Sequence, residues 1–421
     1  MTAWLRRLHP FQTPETQRLA LLFGVVYFAQ GMWYLPNQTI TIVLKERGLT
    51  AGQVAQFFAI ATVPWLVKPL YGLLSDFVPL FGRRRKSYFL LSTALAALGA
   101  AALALLREHP WLTLVSLVTA MGFGLAFTDV LTDALMVEHG RAHGLTGAFQ
   151  AVQWAAIYAA AILVGVVGGY FAEHRDLRGA FGAAAAFPLV SWGMALAFVR
   201  ERPVADGGGL ARETWRAVRA AARQRDLWMV AGFILVWTFS PSFGPSLLYF
   251  QTDVLGFSQQ FIGALDSLSA AGAVVGAFVY APLSRRIPLR RLINLSIGLG
   301  VAGTLAYLLY RDPVSAVLIA TVFGAAAMIT QLAFLDLAAK AAPRRVEATF
   351  FALLMSVYNA GAQASQVVGS HLYDRVGLRP LIVVSAAATA VAWLLVPLVR
   401  IDRIEARARA EAGTAAVPTP A

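Results

Sequence analysis

The sequence contains no cysteine. Disulfides and thiolate metal sites are therefore excluded, and cysteine usage carries no information about the redox compartment. Charge is also scarce: Asp, Glu, Lys and Arg make up 14% of the 421 residues, against roughly 25% in soluble domains. A chain so poor in charge cannot cover a soluble surface of its size. The six histidines fall mostly between apolar runs and show no ligand spacing, so no metal site is expected. No short apolar core with a small-residue cleavage site follows Trp4-Leu5-Arg6-Arg7, so no cleavable signal peptide is expected.

What is abundant is apolar. The chain is 58% hydrophobic with a mean hydropathy of +0.64. Apolar stretches of about 20 residues recur along it, the length a helix needs to cross a hydrocarbon core of roughly 30 Å. Only helices and closed barrels satisfy their backbone groups there. These runs are rich in Ala, Leu and Val without strict alternation, so they predict helices.

Twelve spans are expected, at residues 19–44, 54–77, 88–106, 112–137, 145–171 and 179–199, then 227–250, 260–283, 292–310, 314–339, 348–372 and 381–399. The expected fold class is all-α integral membrane, with twelve transmembrane helices in two six-helix pseudo-repeat halves. Residues 1–199 form the first half, 200–226 a basic linker, 227–402 the second half and 403–421 a disordered tail. Weak internal matches support a duplicated unit. Gly48-Leu49-Thr50 and Gly256-Phe257-Ser258 precede corresponding spans, with Thr50 and Ser258 as helix N-caps. Phe149/Phe350 and Gly168/Gly369 recur at one common offset.

The net charge of +13 is distributed in alternate connections between the apolar runs. That is the positive-inside pattern and not a polyanion footprint, so no nucleic acid is expected and both termini are placed in the cytoplasm. The linker carries Gly207-Gly208-Gly209 followed by an Arg-rich stretch with Trp215, Val218 and Leu227. It reads either as a solvated connection or as a basic amphipathic helix on the inner membrane face.

Chemistry concentrates at the end of span two and in span four. Lys68 falls inside a span, where a charge is expensive and marks function by default. Pro69 removes a backbone donor and Gly72 a side chain, so this helix can bend and approach a neighbour. Lys68, Gly72 and Asp76 lie on roughly one face, and Asp129 and Asp133 share a face of span four. At ~1.5 Å per residue these acids and the lysine fall in the inner third of the membrane. Lys68, Asp76, Arg83, Arg84, Arg85, Asp129, Asp133 and Glu138 are therefore grouped as an inner-side gate and charge relay. The alternative is a static ion-pair staple between helices.

The segment Pro64-Trp65-Leu66-Val67-Lys68-Pro69-Leu70-Tyr71-Gly72 continues through Ser75-Asp76, Pro79, Gly82 and Arg84-Arg85 to Tyr88. It resembles the Gly-x-x-x-Asp…Gly-x-Arg-Arg signature of the major facilitator superfamily, with a larger gap between Asp76 and Gly82. In that enlarged form it is similar to the folate–biopterin transporter family. The span-four run Asp129-Val130…Asp133-Ala134…Val137-Glu138 resembles that family's second hallmark, with Thr128 where a small alanine-like residue is expected. The resemblance covers the first half of the chain. It implies the major facilitator fold and a proton-coupled carrier of folates or pterins; the gate motifs report mechanism and not cargo.

A solute site belongs near the midplane between two such halves. Gln30, Trp33, Tyr34 and Asn37 lie there in span one, with Gln150, Gln153, Trp154 and Tyr158 in span five. Trp237 and Ser240 of span seven and Tyr358, Asn359, Gln363 and Gln366 of span eleven join them. An aromatic and amide lining suits a flat heterocycle held by stacking and edge hydrogen bonds; the same residues also serve to pack helices.

Asp266 sits about 9 Å below the outer end of span eight, apart from any basic cluster, and is the expected proton-coupling residue. Asp336 and Glu347 lie beside Lys340 and Arg344 and read as ordinary ion pairs. The expected partners are a small-molecule substrate, protons and membrane lipid, with no cofactor, in a monomer of the inner (cell) membrane. An enzyme is not expected: Asp129 and Asp133 imitate an aspartyl dyad, but one helix cannot easily aim both at one bond. A rival within transport is a carrier of another organic anion, peptide or cell-wall fragment.

Overall fold

A computed structural model of the chain describes residues 10–201, 219, 223–342 and 347–407. The Gly207–Gly209 hinge, most of the basic linker and the end of the tail lie outside them. Within the described residues the chain is helical, and nine of its helices are long and apolar enough to cross a membrane by length and composition. Side chains such as Leu98, Leu105, Phe278 and Leu394 stand exposed on these helices. Contiguous apolar surface of that kind needs lipid or a partner over it.

Three of the expected spans are not among those nine, and each has a local cause. The second is broken into α1 (Ala51–Ala61), α2 (Val63–Leu66) and α3 (Lys68–Phe77). Pro64 and Pro69 each occupy the first turn of a new segment, where a missing N–H costs nothing. Proline thus restarts the helix at Lys68 instead of bending a continuous one. Gly72 does not make the close approach expected of it, since an added Cβ would meet Val130 at an ordinary 3.7 Å. The tight position is Gly122 across from the break, where a Cβ would come 2.9 Å from the Trp65 ring. The seventh span is split into α4 (Arg225–Thr238) and α5 (Pro245–Asp253) around Ser240-Pro241-Ser242. The eleventh, α6 (Glu347–Val376), is 30 residues long but carries Asn359, Gln363 and Gln366.

The chain divides into two compact units that are not contiguous in sequence. The first combines residues 1–49, 60–207 and 257–267; the second combines 50–59, 208–256 and 268–421. In the first unit, Leu22, Phe23, Phe89, Leu131 and Phe149 form a buried cluster. Phe149 stacks on Phe11 and meets Phe23 edge-on, each at 5.1 Å. In the second, Phe233, Ile293, Phe334, Leu337 and Leu354 do the same. In lipid there is little hydrophobic drive between helices, so close packing of small residues has to hold them together. Segment 257–267 joins the first unit by that means. Gly263 lies against Gly165 and Gly169 of α7 (Thr146–Glu173) with no room for a Cβ, and the Ser267 hydroxyl donates to the Ile162 carbonyl at 2.7 Å.

Helix α8 (Pro313–Ala341) shows how one end is secured. The Asp312 carboxylate accepts from the Ser315 amide at 2.9 Å in a capping box. That backbone hydrogen bond holds the Asp312 carboxyl below its ordinary value. A depressed folded-state pKa stabilises the fold above the unfolded carboxyl value of ~4, and the contribution disappears as pH falls through the folded value. Asp312→Ala is expected to lower the thermal midpoint at pH 7, with the gap to wild type closing below pH ~4; midpoints measured across that range check it.

Candidate functional site

Two charged clusters form in the first unit, and they divide the residues grouped together from sequence. The first surrounds the start of α3. Lys68 is its first residue, and its ammonium pairs with Asp129 of α9 (Trp111–His143). The other Asp129 oxygen accepts from Gln30 Nε2 at 2.8 Å. One turn further on, Asp133 accepts a hydrogen bond from the Tyr27 hydroxyl. Gln153 of α7 lies beside Asp133, and Tyr34 lies near Lys68 with about half its surface exposed. Tyr27 and Gln30 belong to α10 (Pro14–Gly31).

Charge does not balance here: two carboxylates share a single ammonium, and that ammonium sits on Asp129. Two buried polar atoms also lack a well-formed hydrogen bond, Gln30 Oε1 and Gln153 Nε2. Helix α9 runs for 33 residues, ~50 Å at 1.5 Å per residue, longer than a ~30 Å core requires. Asp129 lies near the middle of it, level with Gln30. Gln30 and Gln153, expected among the solute-lining amides, therefore meet the acids expected in the gate.

The second cluster lies at the other end of α3. Lys68 and Asp76 are eight residues apart in sequence, ~12 Å along the helix. Arg85 Nη2 pairs with Asp76 at 2.6 Å and with Glu138 at 2.8 Å, while its Nη1 donates to Ser75 Oγ at 2.7 Å. Burial alone would make Arg85 easier to deprotonate, but Asp76 and Glu138 outweigh that and raise its pKa above the ordinary guanidinium value. The turn itself is held by Glu201. Its carboxylate accepts from the Arg84 amide at 2.7 Å and from the Arg85 and Lys86 amides at 3.0 Å. Arg84 contributes its backbone amide here, and its buried Nε has no partner. Arg83 closes the turn through backbone bonds with Leu80.

The remaining expected residues divide between the units. In the first, Trp33 is buried against Trp65 at 5.5 Å, and Trp154 stacks on Tyr158 at 6.1 Å. Asn37 is half-buried at the start of its helix (Asn37–Glu46), and Gln150 is exposed. Asp266 is exposed and has no hydrogen bond or ion pair among the described residues. In the second, Trp237 stacks on Phe334 at 3.6 Å with Tyr358 at 6.1 Å. Ser240 is spent on packing, bonded to the Ser385 carbonyl and the Thr389 hydroxyl at 2.8 Å. Asn359, Gln363 and Gln366 are half-buried, Gln366 lying against Gly244. Asp336 pairs with Lys340 at 2.8 Å; the side chains of Glu347 and Arg344 lie outside the described set.

Sequence reading missed Tyr27, Glu201, Glu173 and Asp374. Tyr27 had a signal: with Gln30 and Tyr34 it repeats at i, i+3, i+7 on one helical face. Glu173 and Asp374 had another, since they stand at the common offset of Gly168 and Gly369. Each caps a helix start within its own unit. Glu173 accepts from the Gln259 and Gln260 amides at 2.6 and 3.2 Å, and Asp374 from the Ala51 and Gly52 amides at 3.2 and 2.9 Å. A carboxylate is well placed at that positive end of a helix.

Comparison with known proteins places this arrangement. Residues 29–399 match the model of the BT1 family. The folate-biopterin transporter of Synechocystis sp. is 30% identical over 397 residues, covering 87% of this chain and 76% of that protein. The probable folate-biopterin transporter 4 of Arabidopsis thaliana is 24% identical over 458 residues, with 90% and 92% covered. Among solved structures, the nucleoside transporter NupG superposes with a TM-score of 0.67 at 13% identity, covering 90% of this chain and 98% of that one. That likeness shows a shared fold.

Proposed function

The chain belongs to the BT1 family, a family of membrane transporters and not of enzymes, and on that footing we propose that it is a secondary active transporter of folate- or pterin-like solutes. It works by alternating access with proton coupling. One observation carries the reading: Lys68 pairs with Asp129, and Asp133 stands one turn away as a second carboxyl without an ion pair among the described residues, both acids in the body of the apolar helix α9. Such groups are expensive in a membrane and mark solute or ion pathways.

In this reading twelve spans form two six-helix halves, 1–199 and 227–402, joined by the basic linker. Positive-inside charge puts both termini in the cytoplasm of the inner membrane. The Arg85 cluster with Asp76, Glu138 and the neighbouring Arg83 and Arg84 gates the cytoplasmic side. Gln30, Trp33, Tyr34, Asn37, Gln153, Trp154 and Tyr158 line the solute path from the first half, and Trp237, Tyr358, Asn359 and Gln363 from the second. Asp266, exposed and unpaired, exchanges the coupling proton. The working unit is a monomer.

The test is uptake into proteoliposomes, screening folate, biopterin, dipeptides and muropeptides under an imposed proton gradient. Folate or biopterin is expected to accumulate, and flat responses to every pteridine would remove the substrate assignment. Asp266→Asn is expected to flatten the pH dependence of uptake. An unchanged pH profile assigns coupling elsewhere.

A further inference from the structure

The first unit's polar cluster leaves a specific set of hydrogen-bonding groups unspent. Both Asp129 oxygens have a partner, Lys68 on one and Gln30 Nε2 on the other. Asp133 receives only the Tyr27 hydroxyl as a well-directed bond, and no cation pairs with it among the described residues. Gln30 Oε1 is a buried acceptor without a partner, and Gln153 Nε2 a buried donor that comes within reach of Asp133 but makes no well-formed bond. Gln153 is 2% exposed and lies beside Asp133. Buried polar atoms are almost always paired, so orphans grouped around a surplus charge call for an occupant.

The unspent set is an anionic acceptor, a neutral acceptor and a donor. Its complement is a ligand edge with two donors and one acceptor, with the terminal donor facing the carboxylate. A 2-amino-4-oxopyrimidine edge has that pattern: an exocyclic amine, an adjacent ring N–H and a carbonyl. We infer that Asp133, Gln30 and Gln153 form the head-group subsite of the transporter and read the 2-amino-4-oxo edge of its pteridine. This rests on the proposed pteridine substrate and adds which edge is read and by which residues. Lys68 then acts as a positioning residue: it holds Asp129, which orients the Gln30 amide so that its oxygen faces the ligand. The second donor–acceptor contact explains why an amide from α7 is kept buried without a well-formed bond.

The edge can be tested by changing one ligand group. Pterin (2-amino-4-oxopteridine) and lumazine (2,4-dioxopteridine) differ in replacing the amine by a carbonyl, which would face the Asp133 carboxylate lone pair to lone pair. Isothermal titration of each into the full-length protein in lipid nanodiscs is expected to show pterin at least ~10-fold tighter, as fits loss of a hydrogen bond to a charged group. Asp133→Asn, checked for a wild-type thermal midpoint, is expected to weaken pterin to the lumazine level and leave lumazine little changed. Gln153→Leu, checked likewise, removes the donor to the 4-oxo group that both compounds carry and is expected to weaken both by a similar factor. If Asp133→Asn fails to fold, the wild-type preference and the Gln153→Leu result decide. Equal wild-type affinities, an Asp133→Asn variant that keeps the preference for pterin, or a Gln153→Leu variant that binds both compounds as the wild type does overturns the edge assignment and leaves the pteridine reading standing. If neither compound binds the wild type, the pteridine reading falls and the subsite with it.

Discussion

Replacing Lys68 by alanine is expected to abolish uptake while the protein still inserts. The ammonium pairs with Asp129 and is the nearest cation to Asp133 among the described residues, with 17% of its side chain exposed against 6% for Asp129. Removing one partner of a buried pair costs about 3–5 kcal/mol, because the other charge is left without compensation. At 1.4 kcal/mol per tenfold, that is a loss of at least ~100-fold if transport depends on the paired state. The double variant Lys68→Ala/Asp129→Asn separates the two roles open to this pair. It removes both charges together and so avoids the stranded carboxylate. A static staple predicts that insertion, thermal stability and uptake all recover. A relay predicts that insertion and stability recover while uptake stays lost, and recovered uptake would remove Lys68 from the transport path.

The second large effect is expected at Arg85. Its guanidinium spans three acceptors, Asp76, Glu138 and Ser75, and its backbone amide is anchored to Glu201. Arg85→Ala leaves two carboxylates from different helices facing one another without a cation; because both are about half exposed, solvent screens part of the cost, and uptake is expected to fall by roughly 10-fold, less than for a fully buried pair. Arg85→Lys is the sharper probe. A lysine brings one nitrogen where the arginine brings a planar fork, so it can neutralise one carboxylate but cannot also reach Ser75 in the same geometry. Partial rescue is expected, and full activity of Arg85→Lys would show that charge alone matters at this turn. Glu201→Gln should mimic a weaker form of the same defect, because it loosens the backbone turn that presents Arg85.

Several parts of this protein were readable without coordinates. Hydropathy is a sum over neighbouring residues, so the apolar spans are local properties, whereas the helix breaks at Pro64, Pro69 and Pro241 emerged only in the structure. The motif from Pro64 to Tyr88 and the acid pair in span four are also local, and they lead to the family that the comparisons bear out. The partnership of Lys68 with an acid of span four was legible as well, since a buried ammonium needs a counter-charge and Asp129 and Asp133 were the acids at similar depth.

What tertiary structure alone decided is how distant side chains meet. The grouped gate residues separate into two clusters because Lys68 and Asp76 occupy opposite ends of α3. Asp129 meets Gln30 and Lys68, and Arg85 meets Asp76 and Glu138, the latter more than two turns further along α9. Tyr27, Glu201, Glu173 and Asp374 find their partners through the rotation and register of whole helices. A shift of one residue turns a side chain by 100°, so no count along a single helix settles which residue of another helix it faces. The scarcity of charge thus determined, from sequence alone, that this chain belongs in lipid. Only the packing of the helices decided which of its few charges are paired, and left Asp133 without an ion pair among the described residues beside two incompletely bonded amides.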